Sequence, residues 1–389
     1  MKTWMVITVI LAVYGCPLCV RAGEAEQSLQ TEAQWNQETL WDQAEEYLDV
    51  REIEESLKAS DQAEEFSFSD AVRSLIRGEI PFQPEKIGSI VSDIFFSELN
   101  QQRKTAVQIL VVVLASAVFS NFVTVFENNQ IADISFYMMY LLISTLLVRS
   151  FAGMSRIAVQ ACTAIADFMK VLLPSYLITV VLSSGSVTAL GFYEITVMAV
   201  NILQFVMIKL IFPGIHFYLI LLILNQLAQE DCFSRFAKLA ETVISWTLRS
   251  ILGIVVGLQA VQCLIAPTVD SLKNSAAHRL ARLVPGIGSA LDAAAETVAG
   301  SAVLLKNAVG VAGILALALI CLTPLVKLAA SILMFRLLCA LIQPVCEKRT
   351  VEGIESISGG AMLLLRTLLT AVSIFIISLA MITSAVKSG

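Results

Sequence analysis

From residue 105 to residue 386 one apolar run follows another, interrupted by only a few polar residues at a time. A soluble domain must cover its core with polar groups. A chain that is 57% hydrophobic and 15% charged has too few of them to do so. Lipid is therefore the solvent for most of the molecule. Lipid cannot satisfy free backbone groups, and the runs lack the alternation of a barrel strand, so they must be helices. The expected fold is all-α: a polytopic α-helical membrane protein with a small acidic helical N-terminal extramembrane region. The runs lie near 105–126, 132–148, 160–182, 188–211, 213–228, 243–266, 304–323, 325–343 and 361–386. Several are separated only by Pro213-Gly214 or Pro324, which act as turns between spans or kinks within one. About six to nine spans of roughly 20 residues are expected.

The chain divides into five parts. Residues 1–22 read as a signal peptide: Lys2, an apolar stretch from Trp4 to Val13, and Val20-Arg21-Ala22 before the cleavage point. A lipoprotein signal ending at Cys16 and an uncleaved anchor are the rival readings. Residues 23–104 form an acidic helical extramembrane region. Residues 24–70 alone hold fifteen acidic side chains against Arg51 and Lys58. Trp41, Ala44 and Leu48, then Val50, Ile53 and Leu57, recur at helical spacing and predict amphipathic helices. Such helices serve as a solvated cap or as a docking surface. Ser69 is the expected N-cap of a helix through Arg77, with Gly78 as its stop. A further amphipathic stretch with Ile87, Ile90, Val91, Ile94 and Phe95 on one side is expected to lie in the interface before the first span. Residues 105–266 carry a first group of membrane helices. Residues 267–303 are an amphipathic, non-spanning segment of two short helices joined at Pro285-Gly286-Ile287-Gly288. Residues 304–389 carry the second group.

Charges within apolar runs are the natural functional candidates. Asp167 and Lys170 are three residues apart and share a helix face. Glu194 has no basic neighbour at helical spacing. Lys327 and Arg336 are interior to their runs, whereas Lys209, Arg249 and Arg366 can snorkel from run ends. Lys306 and Asn307 open an otherwise apolar span, and Pro285, Gly286 and Gly288 mark the joint before it. These residues (Asp167, Lys170, Glu194, Pro285, Gly286, Gly288, Lys306 and Asn307) are the candidate assembly or pore-associated positions. Gly253 and Gly257 form a small-xxx-small pair suited to close helix approach. Loop charges leave orientation open: a cleaved leader puts the head outside, but then Arg149 and Arg156 run against the positive-inside rule.

Familiar chemistry is missing. The two histidines, His216 and His278, have no second histidine or cysteine at ligand spacing. There is no Gly-Lys dipeptide, hence no Walker A loop, and no G-x-S-x-G elbow. Cys16 and Cys19 leave with the leader. The six remaining cysteines are scattered and read as small apolar fillers. Asp292-Ala293-Ala294-Ala295-Glu296 with Gly300 superficially matches the coupling loop of ATP-driven importer permeases, but its acid and its glycine are out of register. No catalytic residue, cofactor, metal or nucleic acid partner is expected.

Taken in order, Phe66-Ser67-Phe68, the Ser183-Ser184-Gly185 turn, Pro285-Gly286-Ile287-Gly288, Leu304-Leu305-Lys306-Asn307-Ala308-Val309-Gly310 and Gln343-Pro344 resemble the stage III sporulation protein AE family of endospore-forming bacteria. The likeness covers nearly the whole length, and in the head it is one of composition only. It implies a non-enzymatic polytopic subunit of a channel or secretion-like complex in the mother-cell membrane around the forespore. The implied partners are other stage III sporulation A-type proteins, among them a separate secretion-type ATPase (stage III sporulation protein AA), and stage II sporulation protein Q across the intermembrane space. A homo-oligomer is compatible with this reading. The resemblance assigns no transport residues. The alternative from the residues alone is an autonomous ion-coupled transporter or permease subunit using Glu194 and the Asp167/Lys170 pair; an intramembrane enzyme lacks a visible nucleophile–base pair.

Overall fold

Helix is the regular structure found throughout the described residues, as backbone in lipid requires. The computed structural model describes residues 50–59, 66–79, 84–124, 129–184, 188–228, 232–281, 288–346 and 348–385. All belong to one unit, Val50–Gly389; the preceding unit, Met1–Asp49, lies outside the described residues, and with it the leader and the Trp41–Leu48 periodicity.

Helix α1 (Val50–Ala59) follows the sequence periodicity: Val50, Ile53 and Leu57 are its buried face. Helix α2 (Phe68–Ile76) starts two residues earlier than the Ser69 cap predicts. Ser67 is the extended N-cap residue, and its Oγ accepts from the Asp70 amide at 3.2 Å. Phe68 is fully buried, which draws it into the first turn. Gly78, at φ +77, ends the segment in the left-handed conformation that glycine adopts without strain. Ser67→Ala is expected to cost about 1 kcal/mol, lowering the Tm of the solubilised chain by about 2–4 °C.

Helix α3 (Pro84–Thr124) joins the amphipathic stretch and the first span into one element. The helix runs unbroken through residue 104 because nothing between Pro84 and Thr124 stops a helix except Gly88, which costs only about 1 kcal/mol. Helix α4 (Asn129–Ser184) carries two of the predicted runs, with Pro174 inside it. Helix α5 (Thr188–Val206) passes through a π-helical turn, Met207–Ile211, into α6 (Phe212–Leu227), with Pro213 in the first turn of α6. Helix α7 spans Ser234–Ala281, α8 Gly288–Ile342 with Pro324 inside it, and α9 Lys348–Ala385. Pro213 and Pro324 are thus interruptions within continuous elements rather than turns between spans. The nine runs condense into six stretches long and apolar enough to cross a membrane among the described residues: Gly88–Phe119, Tyr137–Val180, Glu194–Leu227, Ser234–Gln262, Val303–Ile342 and Lys348–Ile382. The chain is a multi-pass, all-α membrane protein.

These stretches are long. Tyr137–Val180 has 44 residues and Val303–Ile342 has 40, about 60–66 Å at 1.5 Å per residue. A hydrocarbon core is about 30 Å thick. Two apolar runs therefore fit end to end on one helix, separated by residues 149–159 in the first case and by Pro324 alone in the second.

Contacts fix the helix directions. Glu98 and Val113 of α3 meet Ser331 and Cys346 of the α8 segment in that order, so α3 and α8 run parallel. Tyr140 and Phe151 of α4 pack over Gly353 and Gly360 of α9, again parallel. Arg336–Ser358 and the Gly313–Leu379 approach make α8 and α9 antiparallel. This alternation is what six successive crossings produce. Close approach occurs where glycines leave room: a Cβ on Gly313 would lie 2.7 Å from Leu172 and 2.9 Å from Leu379, and one on Gly360 2.8 Å from Phe151. The Gly253/Gly257 pair is different. Among the described residues, added Cβ atoms there meet nothing within 4 Å, so the pair makes no packing seam with any of them.

Residues 267–281 continue α7, and 288–303 begin α8. The two short helices expected there are thus the ends of long ones. The joint itself, with Pro285 and Gly286, lies outside the described residues.

Candidate functional site

Toward the C-terminal end of α8 and the N-terminal end of α9, polar groups from several helices gather. On α3, Glu98 is 5% exposed. Its Oε1 accepts from Gln102 Nε2 at 2.9 Å and from Ser331 Oγ of α8 at 3.4 Å. Gln102 Nε2 also donates to Ser331 Oγ at 2.7 Å. The i,i+4 spacing of Glu98 and Gln102 on α3 brings both side chains to the same serine. The single Ser331 proton has a second, nearer acceptor in the Lys327 carbonyl at 2.9 Å, the usual outlet for a helical serine. A cavity of about 310 Å³ adjoins this network, lined among others by Glu98, Gln102, Thr105, Ser150, Met154 and Arg156.

The same level continues around the bundle. The ring of Phe151 stands edge-on to His216 of α6 at 5.3 Å, and His216 Nδ1 donates to the Phe212 carbonyl at 2.9 Å. Phe151 also covers Gly360, and Tyr218 approaches Gly359. Arg336 Nε donates to Ser358 Oγ at 3.3 Å. The π turn at Met207–Ile211 lies just before this level on its helix; such turns re-aim side chains where a regular ladder cannot.

The predicted residues fall in several places. Asp167 and Lys170 form the expected pair at 3.2 Å, with side chains 56% and 36% exposed. Lys170 Nζ also donates to Gln204 Oε1 at 2.7 Å, so the pair ties α4 to α5. Glu194 is exposed on α5, inside the apolar run 188–211. Lys306 is 1% exposed and engaged with its surroundings; Asn307 beside it is half-buried. Gly288 is the first residue of α8, while Pro285 and Gly286 are outside the described residues. The structure thus unites Asp167 with Lys170 and does not bring Glu194 to them by any described contact. Cys162 and Cys321 are buried free thiols. Among the described residues, no three His, Cys, Asp or Glu side chains converge as a metal site.

Residues 66–386 match the family described as Stage III sporulation protein AE. That is far more than half of the chain. The chain belongs to the stage III sporulation protein AE family. Stage III sporulation protein AE of Bacillus subtilis (strain 168) is 22% identical over 316 residues, covering 81% of this chain and 79% of that protein. No solved structure matches. The family match begins at Phe66, just before the Ser67 cap, and runs through α2–α9.

For this family member, sequence reasoning missed the Glu98–Gln102–Ser331 network. Glu98 stands among many polar residues of an amphipathic stretch, and Ser331 is 233 residues away. The Glu-x-x-x-Gln spacing was a signal for the local half of the network; nothing in the sequence identified its third member. Gln259 and Gln262 of α7 were also missed. Both are buried; Gln259 donates to Ser378 of α9.

Proposed function

We propose that this chain is a non-enzymatic membrane subunit of a channel or secretion-like complex that links mother cell and forespore during endospore formation. Membership of a stage III sporulation family and a body of six apolar stretches support a sporulation-related membrane role. The observation that favours a subunit over a self-contained transporter is the use made of Lys170. It is held by Asp167 on its own helix and by Gln204 on the next, as a tie between helices. A coupling ion site needs acidic groups that gain and lose their counter-ion. Here the acid at 167 keeps a lysine, and Glu194 is exposed. Energy for any movement of cargo then comes from a separate ATPase of the complex, and the chain supplies a scaffold in the mother-cell membrane. The acidic head and residues 267–303 are its docking surfaces, facing other stage III sporulation A-type proteins and stage II sporulation protein Q.

Conservative neutralisation separates the two readings. Asp167→Asn and Glu194→Gln together are expected to leave spore yield within about twofold of the parent. The Asp167–Lys170 pair is too exposed to contribute more than about 1 kcal/mol, so the Tm shift should stay within about 4 °C. Loss of spore formation with normal amounts of correctly assembled protein would support an ion-coupled transporter instead.

A further inference from the structure

We propose that a band of basic side chains around the bundle seats the phosphates of an anionic phospholipid leaflet. Contacts between helices set its level. Glu98 meets Ser331 and Val113 meets Cys346, so Arg103 and Lys104 of α3 stand level with Arg336 of α8. Arg336 binds Ser358, and Phe151 covers Gly360, so Arg149 of α4 joins them. Arg366, six residues past Gly360, is level with Arg156, five past Phe151. Phe151 also meets His216, as Tyr140 meets Ile223, which brings Lys209 within about a turn of Arg156 in level. On α7, Gln259 binds Ser378 of α9, and the charges of Glu241 and Arg366 both act on Tyr218. Helix α7 therefore runs parallel to α9, and Lys238 and Arg249 bracket the level of Arg366. Arg366 is half-buried and the other cations are exposed. Among the described residues none of them joins an ion pair. The described carboxylates at this level are Glu355, half-buried Glu241, and Glu98, which is buried and already hydrogen-bonded. The band thus faces outward with an excess of positive charge, which anionic headgroups neutralise.

The length of the bundle calls for a headgroup plane at some such level. Val303–Ile342 rises about 60 Å over its 40 residues. A hydrocarbon core is about 30 Å thick, and a helix tilt of about 40° still leaves about 46 Å to cover. A headgroup plane therefore crosses the bundle within its apolar length. The band supplies phosphate-binding groups for that plane. Its cations share helix faces with exposed apolar side chains. Lys104 is three and seven residues from Val107 and Val111, and Arg149 and Arg156 are seven and fourteen from Leu142. Phe205 stands four residues before Lys209, and Leu333 three before Arg336. Trp246, 70% exposed, stands three residues before Arg249. Tryptophan settles at the headgroup level, where its ring meets chains and its N–H meets water. A dissolved anion would gain nothing from these apolar neighbours. A phospholipid lays its acyl chains along them while its phosphate meets the cations.

The test uses the full chain. Trp4→Phe, Trp35→Phe and Trp41→Phe leave Trp246 as its sole tryptophan. In vesicles of phosphatidylglycerol and phosphatidylcholine, a headgroup nitroxide should quench Trp246 more strongly than one near the acyl-chain ends. Native mass spectrometry of the parent chain from nanodiscs of the same two lipids in equal parts should show phosphatidylglycerol retained over phosphatidylcholine. Arg103→Gln, Lys104→Gln, Arg149→Gln and Arg156→Gln change exposed side chains that hold no ion pair among the described residues. Combined, they are expected to lower that preference at least about tenfold. Inorganic phosphate, at matched ionic strength, should fail to displace the retained lipid. Stronger quenching from the chain ends, equal retention of the two lipids, an unchanged preference in the combined variant, or displacement by inorganic phosphate would each overturn the proposal.

Discussion

Gly313→Leu is expected to remove nearly all folded protein from the membrane. Gly313 sits on α8 where α4 and α9 also meet. A Cβ there lies 2.7 Å from a methyl of Leu172 and 2.9 Å from one of Leu379. Both leucines are fully buried, so neither can swing into open space. Overpacking of a close-packed interior costs about 1–3 kcal/mol for a methylene or two. A leucine adds four carbons at a three-helix junction and must push helices apart, which consumes much of a typical stability of about 5–15 kcal/mol. Gly313→Ala should be milder, lowering the Tm by several degrees. Adding Leu172→Ala to Gly313→Leu should recover part of the loss. Leu172→Ala alone costs about 2–5 kcal/mol by leaving a cavity, so the double variant should be more stable than the sum of the singles allows. Membrane content and thermal unfolding in detergent measure both. Normal amounts of Gly313→Leu protein with an unchanged Tm would show that α4, α8 and α9 do not meet in this way.

The second large effect is expected without loss of folding. Reversing Lys273, Arg279 and Arg282 to glutamate should lower spore yield at least about a hundredfold, while the protein still accumulates in the membrane. These cations lie in the segment proposed as a docking surface, beyond the apolar stretches. Placing like charges across an interface costs several kcal/mol, and each 1.4 kcal/mol is tenfold in affinity. Immunoblotting of membrane fractions and capture of partners from sporulating cells distinguish failed docking from failed folding. Full spore yield from this variant would remove residues 267–303 from the docking account.

Much of the fold was legible because its causes are local. Apolar runs of span length force helices, and the spacing of Val50, Ile53 and Leu57 marks the buried face of α1. The number of crossings was less legible, because proline does not always end a helix. Pro324 stays inside α8, and Pro213 stands in the first turn of α6 directly after a π turn, without ending the helical run. The expected boundary at residue 104 falls inside one helix for a related reason: a change from amphipathic to apolar composition is not a change of backbone. Close approach was also misassigned. Gly253 and Gly257 have the recognised spacing but face no neighbour among the described residues, whereas Gly313 and Gly353 have no such spacing and receive buried side chains. What faces a glycine depends on another helix, and that information is not local. The same limit hid the polar level. Asp167 and Lys170 were found because three residues separate them; Glu98 and Ser331 were not, because 233 do.

The central claim is that this membrane body acts as a passive subunit within a larger sporulation assembly. Its most direct test is native mass spectrometry of the tagged chain, gently solubilised from sporulating cells under its own promoter. The account predicts a complex in which the chain is held with other sporulation membrane proteins and a secretion-type ATPase. Recovery of the chain alone, driving solute uptake from an ion gradient once placed in liposomes, would contradict it.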